Sequence, residues 1–290
     1  MCLPAVQDEL GASSNPVITH PMNPSFFGGP FFAAVALLLC PLTGRVALAD
    51  ELLLKPLNSV AAAELILKGD AFDGVFKATE ALQFYLAAEK LEPKNVRLLV
   101  RIARQYRHLM TDSPLLEMKL VLGGAALAYS QRAAALAPND SEAQLAPAIT
   151  YGKILPLQGK KEQVAASALI KLSADNALRI DPRNDTAWHI LGRWHRAVAD
   201  VGAFKHAVGS LVYGKLPSST NEAAVACFEK AIAINPARLM HYIELGRTYA
   251  QMGKKDDARR LIAKGLAMPD TEKDDPETKQ RGREALVKLH

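Results

Sequence analysis

Residues 234–269 read INPARLMHYIELGRTYAQMGKKDDARRLIAKGLAMP, and this stretch decides the fold. It runs from one proline-containing phrase to another and holds two runs with apolar residues at helical spacing. The first run centres on an aromatic residue and a Leu-Gly pair, and the second centres on small residues. The marked positions are Tyr242, Leu245, Gly246, Tyr249, Ala258 and Ile262. This order predicts one pair of closely packed helices.

The same pattern recurs upstream along the chain. Phrases like Ile234-Asn235-Pro236 close three earlier Ala-rich runs, where a proline is expected just past a helix end. An alanine stands five residues before each of the four prolines, at Ala88, Ala133, Ala177 and Ala231. Shared register at this period is the signature of tetratricopeptide repeats. We therefore predict an all-α, right-handed solenoid of antiparallel helix pairs with insertions.

The earlier units are longer than a standard repeat. The small residue of the first helix and that of the second lie 23 positions apart between Ala103 and Ala126, and 32 apart between Gly192 and Ala224. We expect the surplus to form one or two extra helical elements per unit. The largest insertion, residues 201–220, is apolar and is either an extra helix or a flap over the groove. Residues 274–290 predict a terminal capping helix.

The composition of the 290 residues fits a folded helical protein. Apolar residues make up 49% of the chain, which excludes disorder over its whole length because disorder needs low hydrophobicity. One continuous apolar run near the amino end is too little for a bundle of membrane helices. The formal net charge of +5 points to an acidic partner only where positive residues cluster.

The amino end carries a targeting segment. Residues 31–42, FFAAVALLLCPL, form an apolar run followed by Ala47-Leu48-Ala49, the small-x-small pattern of a secretory cleavage site. We predict a signal peptide with upstream residues at 1–49, with Met22 as an alternative start, and a helical domain at 50–290. The expected location is periplasmic or secreted. The alternative is a membrane anchor, since residues 26–42 approach the length of a spanning helix.

One stretch is more specific than the repeats. Residues 184–194, NDTAWHILGRW, precede an apolar insertion that ends in GKLPSST at residues 214–220. This combination resembles the regulator of microtubule dynamics family over roughly residues 60–270. The resemblance implies a tetratricopeptide-like helical bundle and association with microtubules. It also implies phospholipid binding and transfer, as in a mitochondrial tethering member.

The first helices of stacked pairs line a concave groove. Helical spacing places a recurrent arginine on that face in three of the four units, at Arg104, Arg193 and Arg247, interrupted by Ile149. Guanidinium groups bind carboxylates and phosphates with two parallel hydrogen bonds. The alternative is that these arginines pair with Asp and Glu of neighbouring helices or are simply solvated. The predicted groove residues are Arg104, Arg107, His189, Arg193, Arg196 and Arg247.

No set of acid, base and nucleophile stands out, so we predict a protein that is not an enzyme and uses no cofactor. The chain has no HExxH or CxxC motif, and His189 and His195 fall on opposite sides of a helix, so no metal site is expected. Basic residues without interleaved aromatics argue against nucleic acid.

We therefore predict a scaffold that binds an acidic peptide or protein in an arginine-lined groove. Two alternatives stay open. The first is a lipid-binding or lipid-transfer domain that takes an anionic phospholipid. The second is a microtubule-associated protein.

Export can be tested at the amino terminus. If the signal peptide is cleaved after Ala49, amino-terminal sequencing of the protein from its native cell returns Asp50 as the first residue. A terminus at Met1 or Met22 would contradict cleavage and support the anchor.

Overall fold

The computed structural model describes residues 43–201 and 218–289, and the regular structure in these ranges is helical. The expected apolar leader at 31–42, the segment 26–42 and most of the insertion at 201–220 lie outside the described residues. The described helices are α1 (Thr43–Asp73), α2 (Ala78–Leu91), α3 (Val96–Asp112), α4 (Leu116–Leu136), α5 (Ser141–Ile154), α6 (Lys160–Ile180), α7 (Asp185–Ala199), α8 (Asn221–Ile234), α9 (Leu239–Gln251), α10 (Lys255–Ala267) and α11 (Asp275–Val287), with a 3-10 turn at Leu155–Leu157.

Helices that are consecutive in the chain pack against each other. The most extensive contacts join α3 to α4, α5 to α6, α7 to α8 and α9 to α10, and each pair also contacts the next. The apolar core is correspondingly divided into clusters, each built by neighbouring helices. Contacts restricted to neighbours are the property of a solenoid. The predicted all-α solenoid of helix pairs is confirmed.

The recurrent proline phrases are the turns between units. The four alanines that precede these prolines are each 0% exposed. Each alanine carbonyl accepts a hydrogen bond from the backbone N–H of the residue just before the proline, at 2.8–3.1 Å. The proline then cannot continue the helix, because it lacks an N–H and its ring clashes with the preceding turn. The phrase therefore ends one helix at a fixed point against the core.

In three of these turns the capping residue of the next helix stands two positions after the proline. Asn95, Asp140 and Asn184 occupy this position, and the side-chain oxygen of each accepts a hydrogen bond from the backbone N–H three residues later, at 2.9–3.1 Å. Such caps satisfy an N–H group that has no partner inside the helix. Short polar residues at this spacing thus start α3, α5 and α7.

Two glycines at equivalent repeat positions allow a close approach of paired helices. A methyl group at Gly246 would lie 2.6 Å from Cγ1 of Ile262, and one at Gly192 would lie 2.9 Å from the ring of Phe228. These contacts occupy equivalent places, although the partners are 16 positions apart in the last unit and 36 in the unit before it. The insertion that follows α7 therefore leaves the pairing of α7 with α8 unchanged.

The surplus length of the second and third units is used differently from our expectation. We expected extra helical elements, but α4 and α6 are each single helices of 21 residues, against 13 in α10. Neither contains a proline, so nothing in their sequence stops the helix from continuing. The expectation of extra elements in these units was wrong, since the added residues lengthen existing helices.

The last helix, α11, packs against both α9 and α10. At the other end, α1 begins at Thr43, so the expected cleavage site before Asp50 lies inside this helix in the uncleaved chain. None of the described helices is both long and apolar enough to cross a membrane.

The glycine contacts predict that an alanine substitution destabilises the protein at Gly246 but not at Gly124. Gly246→Ala should lower the free energy of unfolding by about 1–3 kcal/mol because the added methyl overpacks a tight site. Gly124→Ala in α4 is the matched control, since nothing lies within 4 Å of the added methyl. It should be neutral or stabilise by up to about 1 kcal/mol through helix propensity. Denaturant unfolding of both variants is the measurement, and equal effects would refute the close-approach role.

Candidate ligand-binding site

Three of the predicted arginines gather around one carboxylate. Arg193 and Arg196 lie on α7, and Arg247 lies on α9 next to Glu244. Arg196 Nη2 donates to Glu244 Oε2 at 2.7 Å, and Arg247 Nη1 donates to Glu244 Oε1 at 2.7 Å. A fourth guanidinium, that of Arg281 on α11, has its Nε 3.5 Å from the same Oε1.

The carboxylate at the centre is fully buried. The side chain of Glu244 is 0% exposed, and burial alone would raise its pKa. The charges of Arg196, Arg247, Arg193 and Arg281 outweigh burial and hold the pKa of Glu244 well below its usual range. Glu244 is therefore ionised near neutral pH and acts as the counter-ion that gathers the arginines.

Sequence reasoning missed Glu244, because it sits between apolar neighbours in the first helix of its unit. Its position three residues before Arg247 could have indicated it, because side chains three apart lie on the same face of a helix.

Arg193 differs from the other members of the cluster. It is half-buried, and within the described ranges it makes no hydrogen bond and no ion pair shorter than 4 Å. Burial lowers the pKa of Arg193, the charge of Glu244 opposes this shift, and the charges of Arg281 and Arg247 add to it. Arg193 is therefore a crowded positive charge whose guanidinium donors are available to an anion.

A cleft of about 420 Å³ opens beside the cluster, between α7, α9 and α11. Four cationic side chains and two acidic side chains line it, and outside the lining Glu244 of α9 and Glu277 of α11 pair with three of the cations. The charged lining consists of Arg196, Arg247, Arg281, Lys288, Asp200 and Glu284, and the remaining lining of Ala250, Gln251, Ala285 and Leu289. The cleft is thus suited to an anion.

The remaining predicted arginines, Arg104 and Arg107, lie on α3 and have partners on other helices. Arg104 forms an ion pair with Asp73 at the end of α1. Arg107 is 6% exposed, and its Nη1 donates to Thr150 Oγ1 at 3.1 Å. Burial lowers the pKa of Arg107 to about 10. Pairing with a carboxylate of a neighbouring helix is thus seen for Arg104 and Arg196. Arg247 pairs with Glu244 of its own helix, and Arg193 makes no such pair among the described residues.

Helix α11 links these two groups of basic residues. At its amino end, Asp274 forms an ion pair with Lys153 of α5 at 2.5 Å, and the preceding Lys273 pairs with Asp112 of α3 at 2.8 Å. Further along, Arg281 reaches Glu244. The capping helix therefore covers part of the surface that the repeat pattern alone would leave open, and it contributes two cations to the cleft.

His189 belongs to a buried polar chain. It is 4% exposed, and its Nδ1 lies 3.1 Å from Nδ1 of His241, whose Nε2 lies 3.0 Å from Asp185 Oδ2. Arg238 pairs with the same carboxylate oxygen at 3.0 Å. Burial is the main cause that lowers the pKa of both histidines, and the shift is largest for His189. His189 therefore joins α7 to α9 inside the protein.

Among the residues that the structure describes, no cluster of three or more His, Cys, Asp or Glu side chains has the geometry to hold a metal ion.

The site lies within a region that matches a known family. A family model described as "Regulator of microtubule dynamics protein 1-3" matches residues 65–290. Regulator of microtubule dynamics protein 1 of Mus musculus is 26% identical over 220 residues, which are 75% of this chain and 72% of that protein. Regulator of microtubule dynamics protein 2 of Macaca fascicularis is 24% identical over 202 residues, which are 69% of this chain and about half (49%) of that protein.

The fold also has a counterpart among solved structures. A thermophilic tetratricopeptide-repeat protein of Thermus thermophilus aligns with a TM-score of 0.54 at 18% identity, covering 78% of this chain and 100% of that chain. The family resemblance predicted from residues 184–194 and 214–220 is confirmed, and the family match extends through α11.

The buried histidines predict a loss of stability in mild acid. The pKa of His108 is lowered to about 4, mainly by burial, and that of His189 also lies well below its usual value. The unfolded chain protonates these histidines near pH 6.5, whereas the folded protein does not, so their contribution to stability is fully present above that pH. Below pH 6.5 the free energy of unfolding should fall by up to about 1.4 kcal/mol per pH unit for each histidine.

Chemical unfolding between pH 8 and pH 5 measures this slope. His189→Gln and His108→Gln should each lower the number of protons taken up on unfolding by about one and reduce the slope accordingly. A wild-type stability that does not change across this range would contradict the assignment.

Proposed function

The chain belongs to the regulator of microtubule dynamics family, and from this membership and the site above we propose a non-enzymatic binding scaffold whose arginine-lined groove holds an acidic peptide or protein segment. The helical-repeat fold supports the general role, since solenoids present extended surfaces to partners. The described lining of the cleft contains no Ser, Thr, Cys or His side chain. Its chemistry is therefore that of charge recognition.

One observation carries the acidic specificity. Four arginines from three helices surround the carboxylate of Glu244, Arg281 also pairs with Glu277, and Arg193 is left without a partner among the described residues. Two carboxylates cannot use all the donors of four guanidinium groups, each of which has five N–H bonds. A further carboxylate, supplied by a partner, would complete the cluster at Arg193.

The names of the relatives add a candidate partner. Because these proteins are regulators of microtubule dynamics, microtubules belong in the binding test beside acidic peptides. Anionic phospholipid vesicles form the third arm, since an anionic headgroup would meet the same arginines. Binding to microtubules and to vesicles is measured by co-sedimentation, and binding to an acidic peptide by fluorescence anisotropy with a labelled oligoglutamate. The three measurements distinguish the three candidate ligands.

Arg193→Ala should weaken oligoglutamate binding by about tenfold or more, because a charge-assisted hydrogen bond contributes roughly 1.5–3 kcal/mol. Arg193→Lys should recover only part of this affinity, since the bidentate fork is lost. Added salt should weaken binding of the wild type.

The control is Arg260→Ala on α10, where the arginine is exposed and pairs only with Asp257 of its own helix. Its affinity should match that of the wild type. The melting temperature of Arg193→Ala should change little. If that variant instead unfolds while its folded fraction binds normally, Arg193 is structural and the proposal fails.

A further inference from the structure

We propose that the cleft between α7, α9 and α11 is a phosphate subsite, which takes the phosphate monoester of a phosphorylated serine or threonine in the partner. This inference rests on the proposed function, because the phosphorylated residue would belong to the same acidic segment that binds at Arg193. It adds the chemical class of ligand that the cleft prefers.

The donors approach the cleft from three helices. Arg196 comes from α7, Arg247 from α9 and Arg281 from α11, and Lys288 directly follows the last residue of α11. Side chains carried by three different helices surround a ligand rather than face it from one plane. A tetrahedral phosphate has three terminal oxygens that can each accept such donors, whereas a planar carboxylate is satisfied by one or two guanidinium groups.

Arg196 and Arg247 keep unused donors. Glu244 takes one Nη of each, and the other Nη of each is not buried and has no hydrogen-bond partner among the described residues. Arg281 already donates to Glu277 and Thr278 through its two Nη atoms, so it supplies charge to the cleft. A ligand oxygen would therefore find its free N–H donors on Arg196 and Arg247.

The charge around the cleft favours an anion. Its lining has four cations and two carboxylates, and the carboxylates of Glu244 and Glu277 pair with three of those cations. With Arg193 the group holds five cations and four carboxylates, an excess of one positive charge. A phosphoserine, which carries about −1.5 to −2 at neutral pH, is attracted to this excess more strongly than a glutamate.

The lining favours a phosphorylated protein over a membrane lipid. Its apolar side chains are Ala250, Ala285 and Leu289, which provide little surface for an acyl chain. The volume of about 420 Å³ lies within the usual range for small-ligand sites, about 300–1,000 Å³. A phosphorylated side chain with its flanking backbone is a ligand of that class.

The subsite is complete only when α11 is docked. Arg281 belongs to this helix and Lys288 directly follows its last residue, and its amino end is fixed by the ion pair between Asp274 and Lys153. Glu244 meanwhile holds Arg196 and Arg247 in place before any ligand arrives. The donors are therefore preorganised, which lowers the entropic cost of binding.

The test compares three short acidic peptides that differ only at the central residue, which is phosphoserine, glutamate or serine. We expect the phosphoserine peptide to bind about tenfold or more tightly than the glutamate peptide, as one or two additional charge-assisted hydrogen bonds would give. Inorganic phosphate should compete with the phosphoserine peptide. Isothermal titration calorimetry on the full chain measures all of these affinities.

Arg281→Ala and Lys288→Ala should each reduce the preference for phosphoserine over glutamate to about threefold or less. Arg281→Lys keeps a cation beside Glu244 and should retain the fold, yet recover only part of the preference. Arg283→Ala is the matched control, because this arginine is exposed on α11 and its hydrogen bond within the described residues is to Gln280 of the same helix. Circular dichroism checks that each variant is folded.

Equal affinity for the phosphoserine and glutamate peptides would overturn the subsite and leave the proposed function standing. Failure of all acidic peptides to bind would overturn both. Binding of phosphatidic acid vesicles that depends on Arg281, without binding of the phosphoserine peptide, would overturn the assignment to a phosphoprotein and identify a lipid headgroup as the ligand.

Discussion

The buried carboxylate of Glu244 is the constraint on which the carboxyl-terminal half of the protein depends. An ionised carboxylate without contact to water is strongly destabilising unless it is paired and hydrogen-bonded. Here the pairing is supplied by α7 through Arg196, by α9 through Arg247, and at a longer distance by α11 through Arg281. One acidic side chain thus ties three helices together and leaves an excess of positive charge where they meet.

Helix α11 shows how far this electrostatic design extends. Its buried side includes Asp275, Thr278 and Gly282, which bring little apolar surface. Gly282 permits a close approach, since an added methyl would lie 3.2 Å from the side chains of Ile243 and Ile262. The helix is otherwise held by ion pairs to α3, α5 and α9. Its docking is therefore more sensitive to ionic strength than the apolar packing of the helix pairs.

The fold could be predicted from the sequence because the repeats carry it redundantly. Three independent features indicate the same architecture. They are the alanines before each proline, the capping residues after it, and the glycines opposite Phe228 and Ile262. The site could be predicted only in part. Recurrence at one repeat position found Arg193 and Arg247, but a partner such as Glu244 occurs once and has no repeat to mark it. The position of α11 was equally hidden, because ion pairs such as Asp274–Lys153 join residues far apart in the chain.

The choice of arginine explains how one cluster can support both the fold and a ligand. A lysine paired with Glu244 would present a single ammonium group, and pairing would occupy it. Arginine has five donors in a rigid fork, so Arg196 and Arg247 can each bind Glu244 with one nitrogen and keep others for an anion. Stability and binding are therefore coupled at these two residues. At Arg193, which has no described partner, the two are separable, and this residue is where recognition can be measured without disturbing the fold.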